Sequence, residues 1–256
     1  MTGGESIAAD TPLHGGVPTI ILCGGRGTRA RGISAVMPKP MLPVGGRPIL
    51  WHIMKLYGAQ CHTDFVLALG WLGEEIRKFM ENLEAPDDVW RVTCLDTGVD
   101  ALTGTRVHRA SRHLDGGTIM VTYGDCVGDI DIDALLRYHR QQGRLATVTA
   151  VHPPGRFGEL KVDDAGRVTE FVEKPQTSAG TISGGFMVFE RDAIDRYIPA
   201  DRDVMLEREP MSALVADGQL SGYLHEGFWQ PMDTPREHEL LNDLWESGKA
   251  PWKVWT

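Results

Sequence analysis

The chain has 256 residues, 42% hydrophobic and 24% charged, which is the make-up of a water-soluble globule with enough apolar residues for a sizeable core. Its formal net charge of -9 argues against nucleic acid as a partner, which would favour a basic face. No stretch approaches the roughly 20 apolar residues of a membrane span.

In chain order, residues 1–16 read as a disordered leader from their Gly, Ser, Ala and Asp content, lacking the charged start and apolar core of a signal peptide. Residues 19–22 form an apolar, β-branched run that reads as a strand buried on both faces. It breaks into Gly24, Gly25 and Gly27, interleaved with Arg26 and Arg29, and Lys39 follows between Pro38 and Pro40. A helix opening at Pro48 carries Ile49, Ile53, Leu56 and Tyr57 on one face. A strand over 65–69, a helix over 71–83 and a strand over 89–95 continue the alternation, which predicts a parallel sheet with helices on both faces.

A second glycine step, Thr103-Gly104-Thr105-Arg106, is expected in a loop before a helix on which Val107, Ala110, His113 and Leu114 keep helical spacing. The strand over 118–123 ends in Gly124-Asp125, and functional groups of open α/β sheets gather at such strand ends. A helix over 131–142 faces Ile132, Leu135, Leu136 and His139 inward, and a strand over 145–151 follows. Short strands over 159–162 and 168–171 form a hairpin. The strand over 181–190 is expected to break at Gly184-Gly185. Pro210 starts a helix lined by Met211, Leu214 and Val215, and a strand spans 220–224. Thr234, Pro235 and Glu237 spell a capped helix start, with Leu240, Leu241, Leu244 and Trp245 as the buried stripe. The four cysteines lack paired spacing, so buried thiols in a reducing cytoplasm are expected.

The first glycine loop suits a polyphosphate. Glycines let backbone N–H groups face an anion, arginines fork onto phosphate oxygens, and the prolines fix the origin of the Lys39 ammonium. A dinucleotide fingerprint is half present, but the acidic residue that should close the second strand is replaced by Gly70-Trp71. The Gly-Lys-Ser/Thr of a P-loop is absent, and a plain strand-to-helix turn is the remaining alternative.

Gly24-Gly25-Arg26-Gly27-Thr28-Arg29 with Pro38-Lys39-Pro40-Met41 resembles the signature of the sugar-1-phosphate nucleotidylyltransferases. Thr122-Tyr123-Gly124-Asp125, Pro153-Pro154-Gly155-Arg156-Phe157-Gly158 and Gly227-Phe228-Trp229-Gln230-Pro231-Met232-Asp233-Thr234 are similar to blocks of its cytidylyltransferase branch acting on glucose 1-phosphate. The resemblance covers nearly everything from Val17 onward. It implies a Rossmann-like three-layer α/β sandwich with a mixed, mainly parallel sheet and a small β-rich sugar-binding lobe. A single domain over 17–256 would have a nucleotide half to about 150 and a sugar half beyond. The implied substrates are CTP and a sugar 1-phosphate, with Mg²⁺ as cofactor, no nucleic acid or membrane partner, and a cytoplasmic homo-oligomer. Lys39, Arg29 and Asp125 take the catalytic roles. Leu22, Gly24, Gly25, Gly27, Thr28, Arg29, Lys39, Thr103, Gly104, Arg106 and Gly124 hold the nucleotide. Gly158, Glu173, Lys174, Ser183 and Gly184 hold the sugar phosphate, and Asp125 with Asp233 hold the metal. A sibling enzyme using UTP or dTTP, or a modified sugar phosphate, and a non-catalytic nucleotide-sugar sensor are the alternatives. Read singly, Lys39 fits a solvated loop lysine, Asp125 a turn residue and Asp233 a helix-dipole partner. The chain departs from the family pattern in a shortened 81–90 segment, in Thr105 and Cys126 where glycines are expected, and in Ser183 where asparagine is expected. Thr105 therefore predicts weaker rejection of UTP or dTTP, and Trp229 and Phe228 are assigned to the core.

Overall fold

The computed structural model describes residues 16–26, 37–83, 90–154, 159–163, 166–172 and 180–255. The expected leader, apart from Gly16, lies outside them. The chain runs through β1 (Thr19–Leu22), a single 3-10 turn (Lys39–Met41), β2 (Pro43–Val44), β3 (Arg47–Pro48), α1 (Ile49–Gly58), β4 (Asp64–Leu69), α2 (Gly73–Glu81) and β5 (Arg91–Asp96). It continues through α3 (Thr103–Ser111), β6 (Thr118–Tyr123), β7 (Cys126–Gly128), α4 (Ile132–Gln142), β8 (Ala146–Val151), β9 (Glu159–Val162), β10 (Val168–Val172) and β11 (Ile182–Glu190). The last elements are α5 (Arg191–Tyr197), α6 (Glu209–Ala216), β12 (Leu220–His225), β13 (Trp229–Pro231) and α7 (Pro235–Glu246).

Among the described residues seven strands form one sheet in the order β12-β8-β11-β6-β1-β4-β5. Only β11 runs antiparallel to its neighbours, so the sheet is mixed and mainly parallel, as expected. Strand periodicity divides the core between its faces. Ile21, Phe65, Leu67, Leu69 and Met120 pack with α1, α2, α4 and α7, whereas Ile20, Leu22, Val66, Ala68 and Val121 pack with α3, α5 and α6. The two sequence halves thus share one sheet, since β11 and β12 extend the strands of the first half. The antiparallel β9–β10 hairpin stands apart as its own two-stranded sheet.

Several elements depart from expectation. Thr103–Arg106 is not a loop but the first turn of α3. Gly104 is there for close approach, because a Cβ would stand 2.9 Å from the Val204 carbonyl oxygen that accepts its N–H. The helix expected from residue 71 starts only at Gly73, after Leu72 in a left-handed conformation (φ 51°). β11 is continuous through Gly184-Gly185 and absorbs them as a bulge, with Gly185 at φ 80° against the Tyr123 ring. Pro48 ends β3 and precedes α1 rather than opening it. Helix α5 and the short strands β2, β3, β7 and β13 were not legible as periodic runs. Leu240 and Val215 face solvent at 43% and 62% exposure, and His113 lies outside α3 and is exposed. Cys23 and Cys126 are buried as expected, but Cys61 is exposed.

Candidate active site

The carboxyl ends of β1 and β6 open onto a cavity of about 760 Å³. Lys39 lies on its floor. Pro38 is extended and Pro40 follows within the 3-10 turn, so the Lys39 backbone is fixed on both sides. The side chain is buried, not the solvated loop lysine that most lysines are. Its ammonium donates to Asp125 Oδ2 at 2.6 Å and to Asp233 Oδ1 at 2.5 Å. Burial alone would lower the Lys39 pKa, but the Asp125 charge and then the hydrogen bonds to both carboxylates outweigh it and hold the group above its ordinary value.

Two short strands bring the carboxylates together. β13 pairs antiparallel with β7, placing Pro231 opposite Cys126, and the Met232 N–H donates to the Asp125 carbonyl at 2.9 Å. Asp125 precedes one strand and Asp233 follows the other, just before the α7 cap. That cap is the expected capping box: Thr234 Oγ1 accepts from the Glu237 N–H, and Glu237 Oε2 accepts from the N–H groups of Thr234 at 2.8 Å and Asp233 at 2.7 Å. A hard cation suits this donor pair, since the ammonium already sits on two carboxylate oxygens and substrate phosphates complete such a shell.

The glycine loop divides in function. Among the described residues nothing stands within 4 Å of a Cβ on Gly25, so on that side its backbone is open to approach. Gly24 also lines the cavity, but a Cβ there would stand 2.0 Å from an Arg106 guanidinium nitrogen, so its missing side chain makes room for Arg106. Arg106 is buried and donates to the carbonyls of Gly24 at 3.0 Å and Leu69 at 2.8 Å, and to Thr97 Oγ1 at 2.7 Å. It fastens the ends of β1 and β4 while edging the cavity. Leu22 also lines the cavity, and its carbonyl accepts from the Gly124 N–H at 3.1 Å. Gly27, Thr28, Arg29, Gly158, Glu173 and Lys174 lie outside the described residues.

Ser183 is exposed and Gly184 buried at the cavity wall. The Gly184 carbonyl accepts from Trp229 Nε1 at 2.7 Å, so Trp229, assigned to the core by sequence, is also a wall of the site. Phe228 keeps its core assignment, stacked on Trp252 with centroids 5.7 Å apart. Thr105 does not line this cavity. Its hydroxyl accepts from the Val204 N–H at 3.1 Å, so it faces the segment that carries Glu207 and not the cavity. Glu207 is a cavity residue that sequence reading missed. It accepts from the Thr103 hydroxyl at 2.6 Å and from the Tyr123 hydroxyl. Those partners are 104 and 84 residues away, and no local pattern announces them.

Comparison with known proteins defines the class first. The family model described as nucleotidyl transferase matches residues 18–236, and the chain belongs to that family of transferases. It is 42% identical to glucose-1-phosphate cytidylyltransferase of Salmonella typhi over 92% of this chain and 98% of that one. It is 32% identical to mannose-1-phosphate guanylyltransferase of Mycobacterium tuberculosis over 86% of this chain and 62% of that one. The solved structure of HddC from Yersinia pseudotuberculosis, complexed with GMP-PN, superposes with a TM-score of 0.66. It covers 90% of this chain and 99% of that one at 19% identity, a likeness of fold alone. The family suggested by the glycine and Pro38-Lys39-Pro40 blocks is the family found.

Proposed function

We propose that the chain transfers a cytidylyl group from CTP to α-D-glucose 1-phosphate, giving CDP-glucose and pyrophosphate. The observation that carries this reading is the meeting of Lys39, Asp125 and Asp233 on the cavity floor of a chain 42% identical to a glucose-1-phosphate cytidylyltransferase.

In the reaction an oxygen of the sugar phosphate bonds to the α-phosphorus of CTP, and the bond from that phosphorus to the pyrophosphate oxygen breaks. A phosphomonoester oxygen is nucleophilic near neutral pH, so the chain needs no general base. It must align two anions and stabilise charge as it develops. Lys39 supplies a cation of fixed origin for the α-phosphate. Arg29 and the open Gly25 backbone take the β- and γ-phosphates. Glu173 accepts from sugar hydroxyls, Lys174 meets the sugar phosphate, and Gly158, Ser183 and Gly184 shape the sugar's seat. Asp125 and Asp233 would hold Mg²⁺, which neutralises triphosphate charge when bound. The same reading makes the protein a cytoplasmic homo-oligomer. Among the described residues no helix is long and apolar enough to cross a membrane.

Pyrophosphate release across CTP, UTP, dTTP, ATP and GTP against glucose, galactose and glucosamine 1-phosphates tests the proposal. CTP with glucose 1-phosphate is expected to give the highest kcat/KM. A higher value for dTTP or ATP with any of these sugars overturns the substrate assignment, and no release with any pair overturns the reaction.

A further inference from the structure

Four carboxylates line the cavity among the described residues: Asp100, Asp125, Glu207 and Asp233. Asp125 and Asp233 hold Lys39, and Asp100 pairs with Arg26 at 2.7 Å at the exposed mouth. Among the described residues Glu207 has no cationic partner; its two oxygens take hydroxyl donors instead, Thr103 on Oε2 and Tyr123 on Oε1. Burial first, then the adjacent Glu207 charge, pushes the Tyr123 phenol well above its ordinary pKa, which keeps it a donor. The carboxylate is therefore pinned from two sides, and each oxygen has a lone pair left. Thr103 is pinned too, since its hydroxyl also accepts from the Leu206 N–H at 2.9 Å.

We propose that Glu207 is the base-selecting residue, accepting a hydrogen bond from the exocyclic amine of cytosine. The inference rests on the proposed use of CTP. Cytosine presents an amine donor where uracil and thymine present a carbonyl acceptor. A fixed carboxylate pairs with the first. Against the second the exposed Glu207 carboxylate sets acceptor to acceptor, rejecting the wrong base by repulsion as well as by a lost bond. The placement fits. Glu207 stands beside the first turn of α3, and Tyr123 lies two residues before Asp125, so one cavity joins the acceptor to the phosphate clamp.

The test is kcat/KM for CTP and UTP with glucose 1-phosphate, in the unaltered protein and in Glu207→Gln. An unaltered protein that does not prefer CTP overturns the proposed substrate, independently of Glu207. Given that preference, Glu207→Gln should lower the CTP:UTP ratio by about 10- to 100-fold, since the amide can turn its N–H₂ toward the uracil carbonyl. A variant that loses activity equally with both triphosphates overturns the inference and assigns Glu207 to a group they share, such as a ribose hydroxyl. Tyr123→Phe, which frees one side of the carboxylate, should lower the ratio several-fold by itself. An unchanged ratio there also overturns the inference, whether or not Glu207→Gln folds.

Discussion

The two ends of the cavity are built differently. At the charged end three side chains meet in direct ion pairs, and the elements carrying them are tied to the core. β7 and β13 are laddered together, and α7 is capped beside Asp233 and docked on α1 through His52, Trp245 and Trp252. At the Glu207 end hydroxyls meet a carboxylate, and the carrier is the segment between α5 and α6, held on the first turn of α3 by Thr103 and Thr105. Bond making needs charge in a fixed place whatever the base. Choice among bases needs a hydrogen-bonding group that can be changed without moving the clamp. With Glu207 as the base-selecting residue, the fold separates the two.

The largest effect should come from Lys39→Ala. Turnover is expected to fall roughly 10³-fold, as for loss of one preorganised donor at the reacting phosphorus. Stability should fall too, since the variant leaves two carboxylates converging without their cation. Breaking a fully buried pair costs about 3–5 kcal/mol, but these carboxylates are about a third exposed, so screening reduces the expected loss to about 1–2 kcal/mol. Thermal melts with single-turnover rates check both halves. A variant keeping most of its rate removes Lys39 from the chemistry, and one melting at the parent temperature removes the ion pairs from the stability of this end.

A second break targets the docking of α7. His52 is fully buried, its Nε2 facing the Val44 carbonyl at 2.8 Å and its Nδ1 accepting from Trp252 Nε1 at 3.3 Å. Burial pushes its pKa down to about 4, against the opposing pull of the Val44 and Arg47 backbone hydrogen bonds. A protonated ring would also lose the Trp252 bond. The folded pKa is depressed below the unfolded value of about 6.5, so the stabilisation is complete above 6.5 and is lost as pH falls toward 4. The loss between pH 7.5 and pH 5 is roughly 2 kcal/mol. Urea unfolding of the parent and of His52→Gln at both pH values isolates it. An equal pH dependence in the two proteins refutes the His52 origin.

The sequence made the charged end legible because its parts are short motifs: Lys39 between prolines, Asp125 after a strand-end glycine, and Asp233 before a capping box. Even so, only the resemblance put the two aspartates together, since their meeting depends on β7 and β13, three residues each and too short for any period to register. The Glu207 end was opaque. Its contacts join residues a third of the chain apart, and the segment carrying Glu207 has no apolar rhythm. Gly24 and Arg106 illustrate a further limit. Glycine beside a strand end reads as space for phosphate, whereas here a buried guanidinium fills that space. Thr103 lines the cavity but stands in a helix and not in the expected loop, because Gly104 mimics a loop glycine while serving a tight helix contact.

The smallest effect separates folding from function within the charged end. Thr234 and Glu237 share one capping box, so replacing either by Ala should cost about 1 kcal/mol of stability. Their links to the site differ. Among the described residues Thr234 Oγ1 accepts only from the Glu237 N–H, at 3.3 Å, whereas Glu237 Oε2 also takes the backbone N–H of Asp233 at 2.7 Å. Glu237→Ala therefore releases the backbone of a carboxylate that must stay aimed at Lys39, while Thr234→Ala leaves that bond in place. Activity is expected to drop several-fold in Glu237→Ala and to change by less than about two-fold in Thr234→Ala at equal loss of stability, because misplacement at a reacting centre costs more than its folding energy suggests. Melting temperatures matched with initial rates, both taken well below the transition, make the comparison. Parallel losses of activity in the two variants would show that Asp233 is positioned without the Glu237 bond, and that the cap serves only the helix.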